Sequence, residues 1–184
     1  VESWASLSLM KTEEDIIGDS YYKYFNSDGQ EVIAGYTTNN VITDSLQIFP
    51  GSIPRPSDQR FTFNLFFQDY LPGNPTYKMH LNLVYGSSLP FGPPNSQKYQ
   101  QTLRIPPYRR VDIGFSKLIK SSQYPGNNWL KHIETIWITA EVFNLLQFHN
   151  TISYLWVTDV SNRKYAIPNY LTPRQLNIKI QVNF

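Results

Sequence analysis

The chain has 184 residues, enough for one sizeable domain, and its 16% charged residues fall well below the ~25% usual in soluble domains. A net charge of +2 without any Lys/Arg run argues against a nucleic-acid partner, and the absence of cysteine excludes a disulfide scaffold or thiolate metal site. No run of ~18 apolar residues exists to make a transmembrane helix, while 13 Tyr, 11 Phe, 4 Trp and a mean hydropathy of −0.38 suit strands wet on one face and apolar on the other.

The start, Val1-Glu2-Ser3-Trp4, has neither a basic nor an apolar leader region. The expectation is that a signal has been removed or that the chain begins partway through a longer polypeptide. Six segments then carry strand periodicity. Residues 4–10 set Ala5, Leu7 and Leu9 against Ser6 and Ser8. Residues 60–68 set Phe61, Phe63, Leu65 and Phe67 against Arg60, Thr62, Asn64 and Gln68. In 77–85 the odd positions are apolar or aromatic and the even ones are Lys78, His80, Asn82 and Val84. Residues 110–116 place Val111, Ile113 and Phe115 opposite Arg110, Asp112, Gly114 and Ser116. Residues 135–143 alternate Ile136, Ile138, Ala140 and Val142 with Thr135, Thr139 and Glu141, although Trp137 and Phe143 blur the polar side. The last segment, 176–184, alternates strictly from Leu176 to the C-terminal Phe184. None has the i, i+3, i+4 pattern of a helix, so the fold is expected to be all-β.

The connections alternate in length. Short links are expected at 71–76, rich in Pro, Gly and Asn, and at 120–131. Long ones are expected at 16–52, 87–108 and 147–169. That alternation predicts an antiparallel up-and-down meander with one plain end and one elaborated end, as in a transmembrane β-barrel with short periplasmic turns and longer extracellular loops. Leu7, Leu65, Leu81, Ile113, Ile138 and Ile178, together with Ala5, are then the lipid-facing positions. The row Ile180, Val182, Phe184 resembles the closing strand that outer-membrane barrels present to their assembly machinery. Six strands are too few to close a membrane barrel, and an open edge is not tolerated in lipid, so the chain is expected to be part of a larger one. Trp4, Tyr70, Tyr77 and Trp129 fall near the short-turn ends and Tyr85 near a long-loop end, as an interfacial aromatic girdle.

Several stretches resemble TonB-dependent outer-membrane receptors: Ile53-Pro54-Arg55-Pro56-Ser57-Asp58-Gln59-Arg60, Leu89-Pro90-Phe91-Gly92-Pro93-Pro94, and Pro106-Pro107-Tyr108-Arg109-Arg110-Val111-Asp112-Ile113-Gly114-Phe115-Ser116. Ala140-Glu141-Val142-Phe143-Asn144-Leu145-Leu146, Tyr154-Leu155-Trp156-Val157-Thr158-Asp159 and Pro168-Asn169-Tyr170-Leu171-Thr172-Pro173-Arg174 are similar to the family's penultimate strand, last loop and its return. The resemblance covers nearly the whole chain and is strongest for large receptors with an extra N-terminal carboxypeptidase-regulatory-like domain. It implies residence in the bacterial outer membrane and a plugged barrel of ~22 strands that takes up a nutrient actively. It implies no enzyme and no cofactor. The implied partners are lipid, the remainder of the barrel and its plug, TonB through an N-terminal part, the barrel-assembly machinery and, as an open question, a surface lipoprotein.

Chemistry in the residues themselves is sparse. His80, His132 and His149 lie in three segments without metal-ligand spacing, and no nucleophile elbow, P-loop or dinucleotide fingerprint occurs. Glu13-Glu14-Asp15, with Asp19 and Asp28, lacks the spacing of a calcium loop and reads as a solvated rim. Tyr21, Tyr22, Tyr24 and Tyr36 crowd the longest outer loop and are the candidate ligand contacts. Arg110, Asp112 and Glu141 are expected on the wet face, paired across strands. Two rival readings remain at this point: a soluble β-sandwich binding module, which would bury the same apolar faces within itself, and a plain porin-like or enzymatic barrel.

Overall fold

The computed structural model describes residues 2–94, 96–100, 102–121, 132–171 and 173–184. Its strands in chain order are β1 (Glu2–Leu9), β2 (Glu13–Glu14), β3 (Tyr21–Phe25), β4 (Asp44–Ile48), β5 (Ile53–Pro54), β6 (Phe61–Leu71), β7 (Asn74–Gly86), β8 (Pro90–Phe91), β9 (Leu103–Arg104), β10 (Tyr108–Lys120), β11 (Thr135–Phe143), β12 (Thr151–Thr158), β13 (Lys164–Tyr170) and β14 (Gln175–Asn183). The fold is all-β and antiparallel. Six strands form one sheet in the order β1-β6-β7-β10-β11-β14, and four two-stranded ribbons (β2-β5, β3-β4, β8-β9, β12-β13) lie in the connections. The six expected strands are all present. The three stretches expected as loops carry strands of their own, a correction considered below. The sheet is open among the described residues: β1 and β14 are its two edges, and no closed barrel forms.

The register carries the alternation of each strand coherently across the sheet. Leu7 faces Phe63 and Phe63 faces Tyr85; Leu65 faces Leu83 and Leu83 faces Val111. Leu81 faces Ile113, Ile113 faces Val142, and Val142 faces Leu176; Ala140 faces Ile178 and Ile138 faces Ile180. Directly opposed residues share a face of a pleated sheet. Leu7, Leu65, Leu81, Ile113, Ile138 and Ile178 therefore lie on a single apolar face spanning all six strands, and Ile180 and Val182 continue it. Phe184 follows the last strand residue, Asn183.

Among the described residues nothing covers that face. Leu7 is 61% exposed, Ile178 67% and Phe184 83%, and Ile53, in a connection, is the one described Val, Ile, Leu, Met, Phe, Tyr or Trp that is buried. The accessible surface, 12704 Å², exceeds the roughly 9,000 Å² expected for a compact monomer of this mass. A sandwich would bury one sheet against another; among the described residues no second layer packs here.

On β10 charge bounds the apolar run at both ends. On β10, Val111, Ile113 and Phe115 lie between Arg109 and Lys117, which sit directly opposite Tyr85 and Tyr77 of β7. Lys117 lies over the Tyr77 ring at 5.2 Å, and Arg109 lies over the Phe148 ring at 4.9 Å. From Arg109 to Lys117 the strand advances about 27 Å at ~3.4 Å per residue. A tilt of ~40° projects this to about 21 Å, close to the ~25 Å apolar band of a membrane barrel. Of the expected girdle, Tyr77 and Tyr85 thus stand on the apolar face. Trp4 and Tyr70 do not: parity puts both on the polar face, where Trp4 stacks on Phe66 at 6.1 Å and Tyr70 lies 5.5 Å from the Lys78 Nζ. Trp129 lies outside the described residues.

Candidate functional site

Two polar regions carry what chemistry the chain has: the polar face of the sheet, and a collar built by the three long connections. On the polar face one row crosses all six strands in register, Glu2-Gln68-His80-Gly114-Glu141-Asn177. Gln68 Nε2 donates to Glu2 at 3.0 Å, and Asn177 Nδ2 donates to Glu141 at 2.8 Å. Between them the His80 Nε2 lies 3.5 Å from Glu141, reaching over the bare backbone of Gly114. A shallow hollow of about 320 Å³ around this row is lined by Lys78, Trp137, Ser116 and Lys179 among others. Arg110 and Asp112 form an ion pair along one strand, at 2.7 Å, rather than across two strands as the sequence suggests. Two residues apart, they project from the same side of a pleated strand. The cross-strand bonds of Asp112 come instead from Asn82 at 3.4 Å and the Asn144 N–H at 2.9 Å.

The collar stands at one end of the sheet. β1 ends, β6 begins, β7 ends, β10 begins, β11 ends and β14 begins there. At the other end Pro72-Gly73 closes a tight β6-β7 hairpin, with Gly73 at φ 76°; the rest of the second short link lies outside the described residues. The three long connections were expected as loops, yet local pairing gives each a ribbon. In the first, Tyr21–Phe25 pairs with Asp44–Ile48; in the third, Thr151–Thr158 pairs with Lys164–Tyr170. β-branched and aromatic residues such as Tyr24, Ile152, Tyr154, Trp156 and Val157 supply the strand preference. Pairing also satisfies backbone groups that a long irregular segment would leave open.

Contacts close these connections into a ring. The first meets the second where Tyr21 stacks on Tyr99 at 3.9 Å and Lys98 meets Glu14 at 3.0 Å. The second meets the third where Phe91 stacks on Tyr154 at 4.5 Å. The third returns to the first, since Arg163 Nε donates to the Gly35 carbonyl at 2.8 Å and its guanidinium lies 5.2 Å from the Tyr36 ring. Gly35, at φ 81°, can carry no side chain: a Cβ would stand 2.2 Å from the Ser161 carbonyl oxygen.

Buried polar side chains fasten the roots. Asp58 is fully buried and joins the first two connections: it accepts from the Thr12 N–H at 2.9 Å, pairs with Arg60 at 3.2 Å and is bridged by Arg104. Asn150 fastens the third to β10, its Oδ1 accepting from the Arg109 N–H at 2.8 Å and its Nδ2 donating to the Arg109 carbonyl at 2.7 Å, in imitation of a strand partner. Asn144, at φ 52°, uses its amide to hold both the N–H and the carbonyl of Phe148. None of these three roles was visible from spacing. The one signal available was a polar residue beside an apolar or Pro-rich run.

The acidic cluster is part of this framework. Glu14 pairs with Arg55 and Lys98, which hold its carboxyl below the usual range, Lys98 most strongly, and Glu13 pairs with Lys11 at 2.8 Å. Among the described residues no three His, Asp or Glu side chains converge on a metal-sized site. Of the candidate tyrosines, Tyr21 and Tyr36 are taken up by collar contacts; Tyr22 and Tyr24 remain on one exposed face. His149 lies edge-on to Tyr170 at 5.4 Å, far from the row that holds His80.

Asp58 makes the collar sensitive to acid. The Thr12 N–H above all, with Arg104 and Arg60, holds its carboxyl down to about 2, against the upward push of burial. A depressed folded-state value stabilises the fold above the ordinary carboxylate range, and that contribution disappears as pH falls through ~4 toward ~2. Pepsin is therefore expected to cut the first two connections increasingly over that window. Asp58→Asn, at a cost of about 1–3 kcal/mol for the unmet donors, flattens the pH dependence. An Asp58→Asn protein whose cleavage still rises steeply over the same window would assign the acid response to another group.

No protein-family model, curated protein or solved structure matches this chain.

Proposed function

We propose that this chain supplies six barrel strands and outer loops of a TonB-dependent receptor in the bacterial outer membrane, a non-enzymatic part of a transporter that takes up a nutrient. The observation that carries the reading is the uncovered apolar face, continuous over six strands and flanked on β7 and β10 by Tyr77-Lys117 at one end and Tyr85-Arg109 at the other. A face of this extent in water marks an interaction surface. Its height and its flanking aromatics and cations suit lipid. The polar rows on the opposite face suit a hydrated lumen, where Glu141 and His80 are affordable. The open edges at β1 and β14 call for further strands, since unpaired backbone is costly in hydrocarbon. In this reading the collar faces outward, the short turns face the periplasm, and plug, TonB-binding segment and remaining strands belong to other parts of the polypeptide.

Isolating the intact polypeptide from the cell tests this. The expected result is co-fractionation with outer membranes, together with a plug domain upstream of this chain. A polypeptide that stays in the soluble fraction, or one whose upstream part holds no plug, would reject the receptor reading.

A further inference from the structure

Beside the row of His80 and Glu141, nearer the short-turn end, a second row crosses the polar face. It runs Tyr70-Lys78-Ser116-Thr139-Lys179 in direct register over β6, β7, β10, β11 and β14. At its middle the Ser116 and Thr139 hydroxyls are hydrogen-bonded at 2.8 Å. A lysine stands on each side of this pair, and three strand spacings, about 14 Å, separate the two lysine backbones. The Lys78 ammonium is held where rings from β6 and β11 converge, 5.5 Å from Tyr70 and 5.3 Å from Trp137. Lys179 is exposed, opposite Thr139 on the outer side of β11. Neither lysine forms an ion pair among the described residues. Both line the 320 Å³ hollow, together with the two hydroxyls and Trp137.

From this row we infer a binding site for a small organic carboxylate, with Lys78 and Lys179 as its cationic sides and the Ser116-Thr139 pair between them. Two ammonium groups without a carboxylate partner attract an anion. A pair of hydroxyls has two protons and spends one on the bond between them, so the other remains to be donated to a bound oxygen. The rings hold Lys78 in place without neutralising it, which lowers the ordering cost of binding. Glu141 is the one acidic side chain in the wall of the hollow, and Asn177 and His80 engage it. Its charge disfavours a dense polyphosphate, whereas Trp137 and Phe66 in the same wall offer apolar contact to a carbon body. Two sources supply this chemistry: a free organic acid, and an Asp or Glu side chain from another part of the polypeptide. The inference needs only the polar face, and does not rest on the opposite face meeting lipid.

The test uses the intact polypeptide solubilised in detergent and has two arms: calorimetric titration with glutarate, and zero-length carbodiimide cross-linking read by mass spectrometry. Glutarate is expected to bind, and to bind more weakly as salt is raised. Lys78→Gln and Lys179→Gln each weaken it by about fivefold, the effect of losing one exposed charge contact. Lys179→Arg holds affinity within a few-fold because the charge stays, and Lys164→Gln, in the collar, leaves it unchanged. The Arg variant keeps the test decisive if a Gln variant folds poorly. If glutarate does not bind and Lys179 cross-links to an acidic side chain outside the hollow, the carboxylate comes from the polypeptide itself. Absence of both binding and cross-link, or glutarate affinity unchanged in the Lys78→Gln/Lys179→Gln double variant, overturns the site, and neither result bears on where the sheet resides.

Discussion

Gly114→Val lowers the stability of the protein by about 1–3 kcal/mol, an overpacking cost, and His80→Ala in the same molecule recovers most of the loss. Gly114 occupies the middle of β10, directly opposite His80 on one side and Glu141 on the other. A Cβ built on Gly114 would lie 2.1 Å from His80 Cε1 and 2.5 Å from His80 Nε2. The imidazole occupies this gap, and this lets it approach Glu141 two strands away from its own backbone. Valine normally favours a strand over glycine, so a neutral site would gain stability from the exchange. The predicted loss has the opposite sign and belongs to the pair. Denaturant unfolding of the two single variants and the double variant closes a mutant cycle. Additive effects would mean that the ring does not occupy the space above Gly114.

A charge at the centre of the apolar face has a comparable or larger effect. Ile113 stands in mid-strand, flanked by Leu81 and Val142. If that face meets lipid, Ile113→Arg costs about 2–4 kcal/mol, and the same change at the rim of the band costs about 0–1 kcal/mol. Phe61 provides the rim position: it faces Leu9 at the collar end, beyond the row of Phe63 and Tyr85. Ile113 and Phe61 are both half-buried. A burial-driven cost would therefore be similar at the two sites, whereas a cost set by depth in a bilayer separates them.

The six-strand sheet was legible because period-two alternation survives in every one of its strands, and because turn formers such as Pro72-Gly73 mark the hairpin. Strand ends were less so: β10 runs to Lys120 and β6 to Leu71, since backbone pairing continues beyond the strictly alternating stretch. Nearness to a strand end suggests a girdle place for Trp4 and Tyr70, but their even numbers group them with Ser6 and Gln68 on the polar face. Arg109 and Lys117 stand at odd positions, in phase with Val111 and Ile113. Their place at the ends of the apolar band emerged only from the register with Tyr85 and Tyr77. Collar contacts were beyond reach for a different reason. Arg163 and Gly35 are 128 residues apart, and Asp58 and Arg104 are 46 apart, so nothing in local pattern ties them together. The tyrosines were picked out as a group by composition; separating Tyr22 and Tyr24 from Tyr21 and Tyr36 required knowing the face of the ribbon and the neighbours on it.

The central claim, that the apolar face meets lipid, is tested most directly by unfolding the intact polypeptide from lipid vesicles with Ile113→Arg and Phe61→Arg compared side by side. The account predicts a loss of about 2–4 kcal/mol at Ile113 and no more than about 1 kcal/mol at Phe61. Equal losses at the two positions, or folding of the unmodified protein in buffer without detergent or lipid, would contradict it.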